Sequence, residues 1–382
     1  MDDQTPTNPA LLPTGLRDLL PPEAETEAAG VEAAMAVFAS HAYRRVKAPL
    51  LEFEEGFLGG SGAAVADQSF RIMDPDSHRM MVLRADMTPQ IARIAATRLA
   101  GAPRPLRLSY AGECVRVRPT GPGADRQVPQ AGIELIGADS AAADAEVMLV
   151  AAEALTALGL PRVSMDLTLP TLVPVLLEDA GLDEATRRGL SHALDRKDAA
   201  EVARLGGPLA ATLTDLLLAA GSAEPAIAAL RDARLPGACR ALAERLEAVV
   251  DLVRRAAISL RLTVDPVEFR GYRYHTGLAL SVFAAGCPEE LGRGGRYFSS
   301  DGEPATGITL YADPILRAAG PRGERPTVFV PAETLPELGA RLRAEGFATI
   351  AGFDEVSDIE AEAKRLRCSH ALVSGKAEPI KN

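Results

Sequence analysis

The pattern of apolar and polar positions divides the chain into an opening helix, two long strands and a helical block. Residues 21–45 begin with acidic side chains, end in arginines and place Val31 and Phe38 on one face, which predicts a helix. Residues 105–137 alternate apolar and polar side chains around a Pro/Gly-rich loop, so two long antiparallel strands are expected. Residues 170–257 are rich in Ala and Leu with helical periodicity, which predicts a helical insertion.

Shorter elements are predicted on both sides of this insertion. The segment around Pro49 is strand-like, and the segment SFRIMDPDSHRMMVLR predicts two strands joined by a turn. A helix is expected to start at Thr88, with the hydroxyl of Thr88 as the N-cap and Pro89 in the first turn. After the insertion, strands are predicted in SLRLTVD, LALSVFA and ATGITLYA, and the Gly-rich segment GRGGRYF is expected to be a hairpin turn.

The end of the chain has a different pattern from the rest. From Pro326 onward the segments alternate strand, helix, strand, helix and strand, after a linker, GPRGERP. We therefore expect a core domain over residues 1–320, carrying the insertion at about 170–257, and a small α/β domain over residues 326–382. The predicted fold class is α+β, an antiparallel sheet flanked by helices.

Composition and charge exclude several classes of protein. The 382 residues carry 41 basic and 52 acidic side chains, a net charge of −11, so a chain-wide electrostatic contact with nucleic acid is not expected. The four cysteines form no CxxC pair, which argues against a disulfide framework or a zinc site. The N-terminus lacks a signal-peptide pattern, and no apolar run approaches the roughly 20 residues that span a bilayer. We expect a cytoplasmic protein that does not contact membranes.

One group of polar residues on the two long strands has the chemistry to bind an amino acid. Gln130 and Glu134 are four residues apart on a strand and therefore face the same side of the sheet, which Arg116 on the preceding strand can share. A carboxylate suits an ammonium group or an imidazole N–H, a guanidinium suits a carboxylate, and an amide can bridge them. The alternative is that these residues form the solvated face of an antiparallel sheet.

The segment FRGYRYHTG, residues 269–277, is a second candidate for ligand binding. It combines two arginines, two glycines that permit close backbone approach, and Tyr and His rings that suit a planar ligand. His275 alone is more typical of a structural or surface histidine, because no Ser or Cys near it in the sequence could serve as a nucleophile.

Taken in order, these segments resemble the catalytic core of class II aminoacyl-tRNA synthetases, specifically histidyl-tRNA synthetase, over most of residues 10–318. YRRVKAPLLE resembles the first class II motif, which implies that Pro49 lies at a dimer interface. LRADMT is similar to the family's Leu-Arg-Pro-Glu-Gly-Thr, and FRGYRYHTG is similar to its Arg-Gly-Leu-Asp-Tyr-Tyr, with His275 in place of the second Tyr. The resemblance implies a histidine pocket made of Asp86, Thr88, Arg116, Gln130, Glu134, Arg270, Tyr274 and His275.

The chain departs from the synthetase pattern at the ATP site. The third class II motif, Gly-Leu-Glu-Arg, falls on Tyr311 to Pro314, so its arginine is Pro314, and an adenine-side Glu of the second motif is Arg118. An amino acid is activated on the α-phosphate of ATP, and a triphosphate needs cations to hold it. The tail is also shorter than the synthetases' anticodon-binding domain.

A synthetase-like core with these losses resembles the family of ATP phosphoribosyltransferase regulatory subunits. That resemblance implies a protein without catalytic residues, metal or cofactor. Its implied partners are a short catalytic ATP phosphoribosyltransferase subunit and a second copy of itself, with histidine as the effector of feedback inhibition in the first step of histidine biosynthesis. Two alternatives stay open: an active adenylate-forming enzyme resembling histidyl-tRNA synthetase, and a stand-alone histidine sensor.

Overall fold

The computed structural model describes residues 11–119, 125–160, 162–256, 259–269, 271, 274–320 and 325–380, apart from the side chains of residues 60 and 61. The chain divides into two compact units, Met1–Gly320 and Pro321–Asn382. Up to the insertion, the elements are α1 (Glu23–Ser40), β1 (Arg44–Arg45), β2 (Leu51–Phe53), α2 (Glu54–Phe57), a 3-10 helix (Gly60–Gln68), β3 (Phe70–Met73), β4 (Met80–Leu83), α3 (Thr88–Thr97), β5 (Leu106–Val115), β6 (Gln127–Ile136), α4 (Ala141–Ala157) and β7 (Val163–Thr168).

The insertion is helical, as its Ala/Leu periodicity predicts. It consists of α5 (Leu172–Asp179), α6 (Glu184–Asp195), α7 (Ala199–Leu205), a short 3-10 helix (Gly207–Leu209), α8 (Ala210–Leu218), β8 (Gly221–Ser222), α9 (Ala223–Asp232) and α10 (Gly237–Arg255). The first unit then ends with β9 (Arg261–Asp265), β10 (His275–Ala284), β11 (Cys287–Phe298), β12 (Pro304–Tyr311) and α11 (Ala312–Ala319).

A nine-stranded sheet in the order β1-β5-β6-β12-β11-β10-β7-β9-β8 forms the centre of this unit. The sheet is mixed, because β1 pairs with β5 and β7 with β9 in parallel, whereas the sequence pattern predicts an antiparallel sheet. The other pairs are antiparallel, including β5 with β6 and β6 with β12. A separate three-stranded sheet has the order β2-β4-β3.

The two faces of the large sheet are covered by different helices. On one face, Ile133 of β6 belongs to the same apolar cluster as Phe38 of α1 and Met148 of α4. On the other face, Tyr110 of β5 packs with Ile91 of α3. Because side chains alternate along a strand, Gln130 and Glu134 point to the face that α3 covers. The candidate residues therefore lie between the sheet and α3.

Two expectations from the sequence are wrong. The stretch GRGGRYF lies within β11, and not in a hairpin turn, because its glycines let neighbouring strands approach closely: a Cβ on Gly294 would lie 2.3 Å from the carbonyl oxygen of Gly307. Thr88 is not an N-cap, since α3 begins at Thr88 and its preceding residue, Met87, makes no side-chain cap. Pro89 does lie in the first turn, where a missing N–H costs nothing.

The second unit contains β13 (Thr327–Val330), α12 (Pro336–Ala344), β14 (Ala348–Ala351), α13 (Ile359–Arg365), β15 (His370–Val373) and β16 (Lys376–Pro379). Its sheet has the order β14-β13-β15-β16, with β16 added antiparallel to the three strands that the sequence predicts. Its apolar side chains, such as Phe329 and Leu342, pack among themselves on the two faces of this sheet. In the part of the chain that the structure describes, no helix is both long and apolar enough to cross a bilayer.

Candidate amino-acid pocket

A cavity of about 700 Å³ opens in the first unit, and four of the eight residues predicted to form the amino-acid pocket line it. These are Asp86, Arg116, Tyr274 and His275. Thr88, Gln130 and Glu134 lie behind this lining, and Arg270 lies outside the described residues. Segments far apart in the sequence therefore meet at one cavity.

Asp86 is held in place from two sides. One of its carboxylate oxygens, Oδ1, accepts the Thr88 N–H at 2.9 Å, and the other, Oδ2, accepts the Gln130 amide at 3.1 Å. The side-chain amide oxygen of Gln130, Oε1, in turn accepts the Met87 N–H at 3.2 Å. Gln130 is 1% exposed, so this side chain is a buried bridge and not part of a solvated sheet face. Asp86 is thereby a fixed anion on the cavity wall.

Arg116 directly follows β5 and brings a cation to the same cavity. Its side chain is buried, its Nε donates to the Ala85 carbonyl at 3.4 Å, and its guanidinium carbon lies 5.9 Å from the centre of the Tyr311 ring. Among the described residues, no carboxylate forms an ion pair with it. By contrast, Arg293 and Arg317, which also line the cavity, pair with Glu290 and Glu289 at 2.8 and 2.9 Å. Arg116 therefore remains available to a ligand anion.

Glu134 is the buried centre of a set of hydroxyl groups. Its Oε1 accepts the Thr88 hydroxyl at 2.8 Å and its Oε2 accepts the Tyr297 hydroxyl at 2.9 Å, while Tyr110 lies 3.4 Å from Oε1. Burial raises the pKa of Glu134 to about 8 even though these hydrogen bonds favour the ionised form. A Cβ on Gly307 of β12 would lie 1.8 Å from Oε2, so only glycine leaves room for this carboxyl group.

The rings of Tyr274 and His275 form a flat wall. Their centroids are 4.3 Å apart with an angle of 26° between the planes, and Tyr297 meets Tyr274 edge-on at 5.8 Å. His275 is buried at the start of β10. Such a wall suits a planar group, as the aromatic side chains in FRGYRYHTG indicate.

The cavity is also rich in carboxylates. Asp67, Asp125 and Glu289 line it, together with Asp313 and Pro314 from the segment that matches the third motif. Pro314, where the third motif has its arginine, therefore lies in a wall whose described residues include six carboxylates and three arginines, a charge balance that disfavours a triphosphate. Of the described residues, no group of three or more His, Cys, Asp or Glu side chains could hold a metal ion.

Several residues of the site are not indicated by the sequence reasoning. Tyr110, Tyr297 and Gly307 surround Glu134, and Arg17 reaches Asp313 from the N-terminal segment at 3.4 Å. Tyr297 lies in the stretch GRGGRYF, where the Gly-rich pattern obscures it. Arg17 gives no local signal, because its partner is 296 positions away.

Comparison with known proteins agrees with this architecture. Residues 15–315 match the family model described as histidyl-tRNA synthetase. A structure titled as an ATP phosphoribosyltransferase regulatory subunit/histidyl-tRNA synthetase from Bacillus halodurans superposes with a TM-score of 0.80 at 24% identity, covering 93% of this chain and 96% of that one. The class II synthetase-like fold is thereby confirmed.

Two relatives extend the likeness over nearly the whole chain. The chain is 53% identical over 366 residues to the ATP phosphoribosyltransferase regulatory subunit of Paramagnetospirillum magneticum, covering 96% of both proteins. It is 52% identical over 371 residues to the regulatory subunit of Gluconobacter oxydans, covering 97% of both. The chain therefore belongs to the family of ATP phosphoribosyltransferase regulatory subunits, which is built on the histidyl-tRNA synthetase fold.

Proposed function

We propose that this chain, without catalysing a reaction itself, controls a separate short catalytic subunit of ATP phosphoribosyltransferase, and that histidine bound in the cavity is the signal. The observation that carries the proposal is that one cavity holds a fixed anion, Asp86, and a buried cation, Arg116, for which the described residues provide no ion-pair partner. A zwitterionic amino acid presents the complementary pair of charges.

The contacts of the cavity suggest how histidine would lie in it. Its carboxylate would pair with Arg116 and its ammonium group with Asp86, which Thr88 and Gln130 hold in position. Its imidazole would lie against the stacked rings of Tyr274 and His275. Arg270 is proposed as a further contact on the strength of the family resemblance.

Glu134 has a supporting role in this arrangement. Because it binds the Thr88 hydroxyl, it fixes the start of α3 against β6 and so fixes the backbone N–H that holds Asp86. The carboxyl group does not itself line the cavity. We therefore assign Asp86, Arg116, Tyr274 and His275 to direct contact, and Thr88, Gln130 and Glu134 to the support of that contact surface.

Control of a partner follows if histidine binds the active and the inhibited arrangements of the complex with different affinity. A coupling of about 1–3 kcal/mol between two sites is typical of allosteric proteins and changes the affinity roughly 5- to 150-fold. In the proposed control protein, the segment that matches the third class II motif lies in a cavity lined with several carboxylates, which oppose the binding of a triphosphate. An adenylate-forming activity is disfavoured for the same reason.

We also propose a homodimer through the three-stranded sheet near Pro49. Phe53, Met81 and Ile72 form one row across this sheet, and Ile72 is 45% exposed. Leu50, next to Pro49, is 53% exposed. An apolar surface of this kind, rimmed by polar side chains, is typical of a protein interface. A cytoplasmic location is proposed too, and the four free thiols suit its reducing conditions.

Reconstitution tests the proposed control. The short catalytic subunit is assayed for phosphoribosyl-ATP formation alone, with wild-type chain, and with Arg116→Gln, each with and without histidine. We expect the wild-type chain to raise the activity and to make it sensitive to histidine, and Arg116→Gln to keep the activation and lose the sensitivity. Arg204→Gln, which removes an exposed arginine paired with Glu201 in the insertion, is the matched control. Equal histidine sensitivity of Arg116→Gln and wild type would exclude this cavity as the effector site.

A further inference from the structure

A second arginine, Arg126, holds the backbone of Arg116. The Nε of Arg126 donates to the Arg116 carbonyl at 3.0 Å, and the Arg116 N–H donates to the Arg126 carbonyl at 2.8 Å. These two hydrogen bonds hold Arg116, directly after β5, against Arg126, directly before β6. The backbone position of Arg116 determines where its side chain enters the cavity. Because Arg126 holds this backbone, it also fixes the direction from which the Arg116 side chain enters.

The N-terminal segment Thr14–Arg17 is attached to the same Arg126. The Arg126 N–H donates to the Gly15 carbonyl at 2.7 Å, and the Arg126 guanidinium donates to the Thr14 carbonyl at 3.3 Å. Gly15 has φ +78°, and a Cβ there would lie 2.8 Å from Cγ of Arg126. Glycine is therefore required at this contact for both backbone and steric reasons.

Arg17 connects the N-terminal segment to two carboxylates that line the cavity. Its Nε donates to Asp125 at 2.7 Å, and its terminal nitrogen lies 3.4 Å from Asp313. Asp125 precedes β6 and Asp313 belongs to α11, and both line the cavity. One arginine of the N-terminal segment thus contacts two residues of the cavity wall that lie far apart in the sequence.

We infer that Arg126 and the N-terminal segment Thr14–Arg17 position Arg116 for the carboxylate of the bound amino acid. This inference rests on the proposed binding of histidine in the cavity and deepens it. Arg126 is a positioning residue and not a ligand contact, because it does not line the cavity. Its guanidinium is held by backbone carbonyls and lies 4.9 Å from the ring of Phe70, so its position is fixed on several sides.

Two ligands separate this role from a general structural one. Histidine carries a carboxylate, whereas histidinol has an alcohol in its place and keeps the ammonium and imidazole groups. Both ligands are titrated calorimetrically into the full-length wild type, Arg17→Gln, Gly15→Ala and the control Arg204→Gln. A misplacement of about 1 Å at a charged contact is expected to weaken histidine binding to Arg17→Gln and Gly15→Ala by at least about 10-fold. Histidinol binding should stay within about 2-fold of wild type, and the control should change neither.

Every result of these titrations either supports the positioning role of Arg126 and the N-terminal segment or overturns it. Wild-type affinity of Arg17→Gln for histidine would overturn it, and so would an equal loss for histidine and histidinol, because that pattern indicates a general change in the cavity. Arg17→Gln alters a partly exposed side chain and suffices if Gly15→Ala fails to fold. A wild-type chain that binds neither ligand would instead remove the proposed function, and this inference with it.

Discussion

The hydroxyl of Thr88 donates a 2.8 Å hydrogen bond to Oε1 of Glu134, which lies 46 positions further along the chain. Thr88 is the first residue of α3 and Glu134 lies in the middle of β6, so this bond joins the helix to the sheet behind the lining of the cavity. The neighbouring N–H of Thr88 holds Asp86. A buried contact thus determines the position of an anion on the cavity wall.

The first prediction concerns the space around the Glu134 carboxyl group. Gly307→Ala would place a Cβ 1.8 Å from Oε2 and 2.8 Å from the Ile133 carbonyl, so the strand or the carboxyl group must move. We expect the free energy of unfolding to fall by about 1–3 kcal/mol, the usual cost of overpacking. Urea unfolding of Gly307→Ala and of wild type measures this difference in the free energy of unfolding.

Gly101→Ala is the matched control for that substitution. Nothing lies within 4 Å of a Cβ at Gly101, and its backbone is not in the left-handed region. Its stability should stay within about 0.5 kcal/mol of wild type. An unfolding free energy of Gly307→Ala as high as that of Gly101→Ala would show that the carboxyl group does not need this space.

A second prediction follows from the raised pKa of Glu134. The folded chain holds the proton of Glu134 up to a pKa of about 8, whereas the ordinary value is 4.5. Between these values the folded state binds more protons than the unfolded state, so this group makes the free energy of unfolding fall as pH rises from about 4.5 to about 8. Above about pH 8 its contribution is constant.

Glu134→Gln removes this titration and keeps the shape of the protonated carboxyl group. Chemical unfolding of the variant and of wild type is compared from pH 5 to pH 9. We expect the stability of the variant relative to wild type to increase with pH up to about 8 and then to level off. The control, Gly101→Ala, changes no titrating group and should give a flat difference. A flat difference for Glu134→Gln as well would mean that Glu134 is ionised in the folded chain.

The third prediction tests the role of Asp86. Asp86→Ala removes the proposed partner of the ammonium group, so histidine affinity should fall by about 2 kcal/mol or more, roughly 30-fold. Imidazolepropionate lacks the ammonium group and should bind wild type and variant alike. Calorimetric titration of both ligands provides the measurement, and equal losses for the two would place the ammonium group elsewhere.

The fourth prediction concerns the proposed dimer. Ile72→Asp puts a charge into the apolar row of the three-stranded sheet and should convert the dimer into monomers, because a desolvated unpaired charge opposes association. Leu218→Asp, at an exposed leucine that ends α8, is the matched control and should remain dimeric. Sedimentation velocity distinguishes the two. A dimeric Ile72→Asp would move the interface away from this sheet.

Local sequence patterns predict the elements of the fold better than they predict the contacts of the site. The spacing of Gln130 and Glu134 correctly predicts that they share a face of the sheet, because side chains alternate along a strand. It does not give the partners of Glu134, since Thr88 and Tyr297 reach it from other elements. Those contacts depend on strand register and helix placement, which no short pattern encodes.

The same limit explains the two errors at Thr88 and at the glycines of β11. A Thr followed by Pro is a typical helix start, but here a buried carboxyl group binds the hydroxyl. Clustered glycines usually mark a turn, but Gly294 and Gly307 let paired strands and the Glu134 carboxyl group come close together. In both places a contact distant in sequence overrides the local preference.

The proposed function depends most on the contact between the histidine carboxylate and Arg116. Calorimetric titration of histidine into wild type and Arg116→Gln, with Arg204→Gln as control, tests it most directly. We expect saturable binding to wild type and to the control, and a loss of roughly 30-fold or more for Arg116→Gln. Identical dissociation constants for wild type and Arg116→Gln would contradict it.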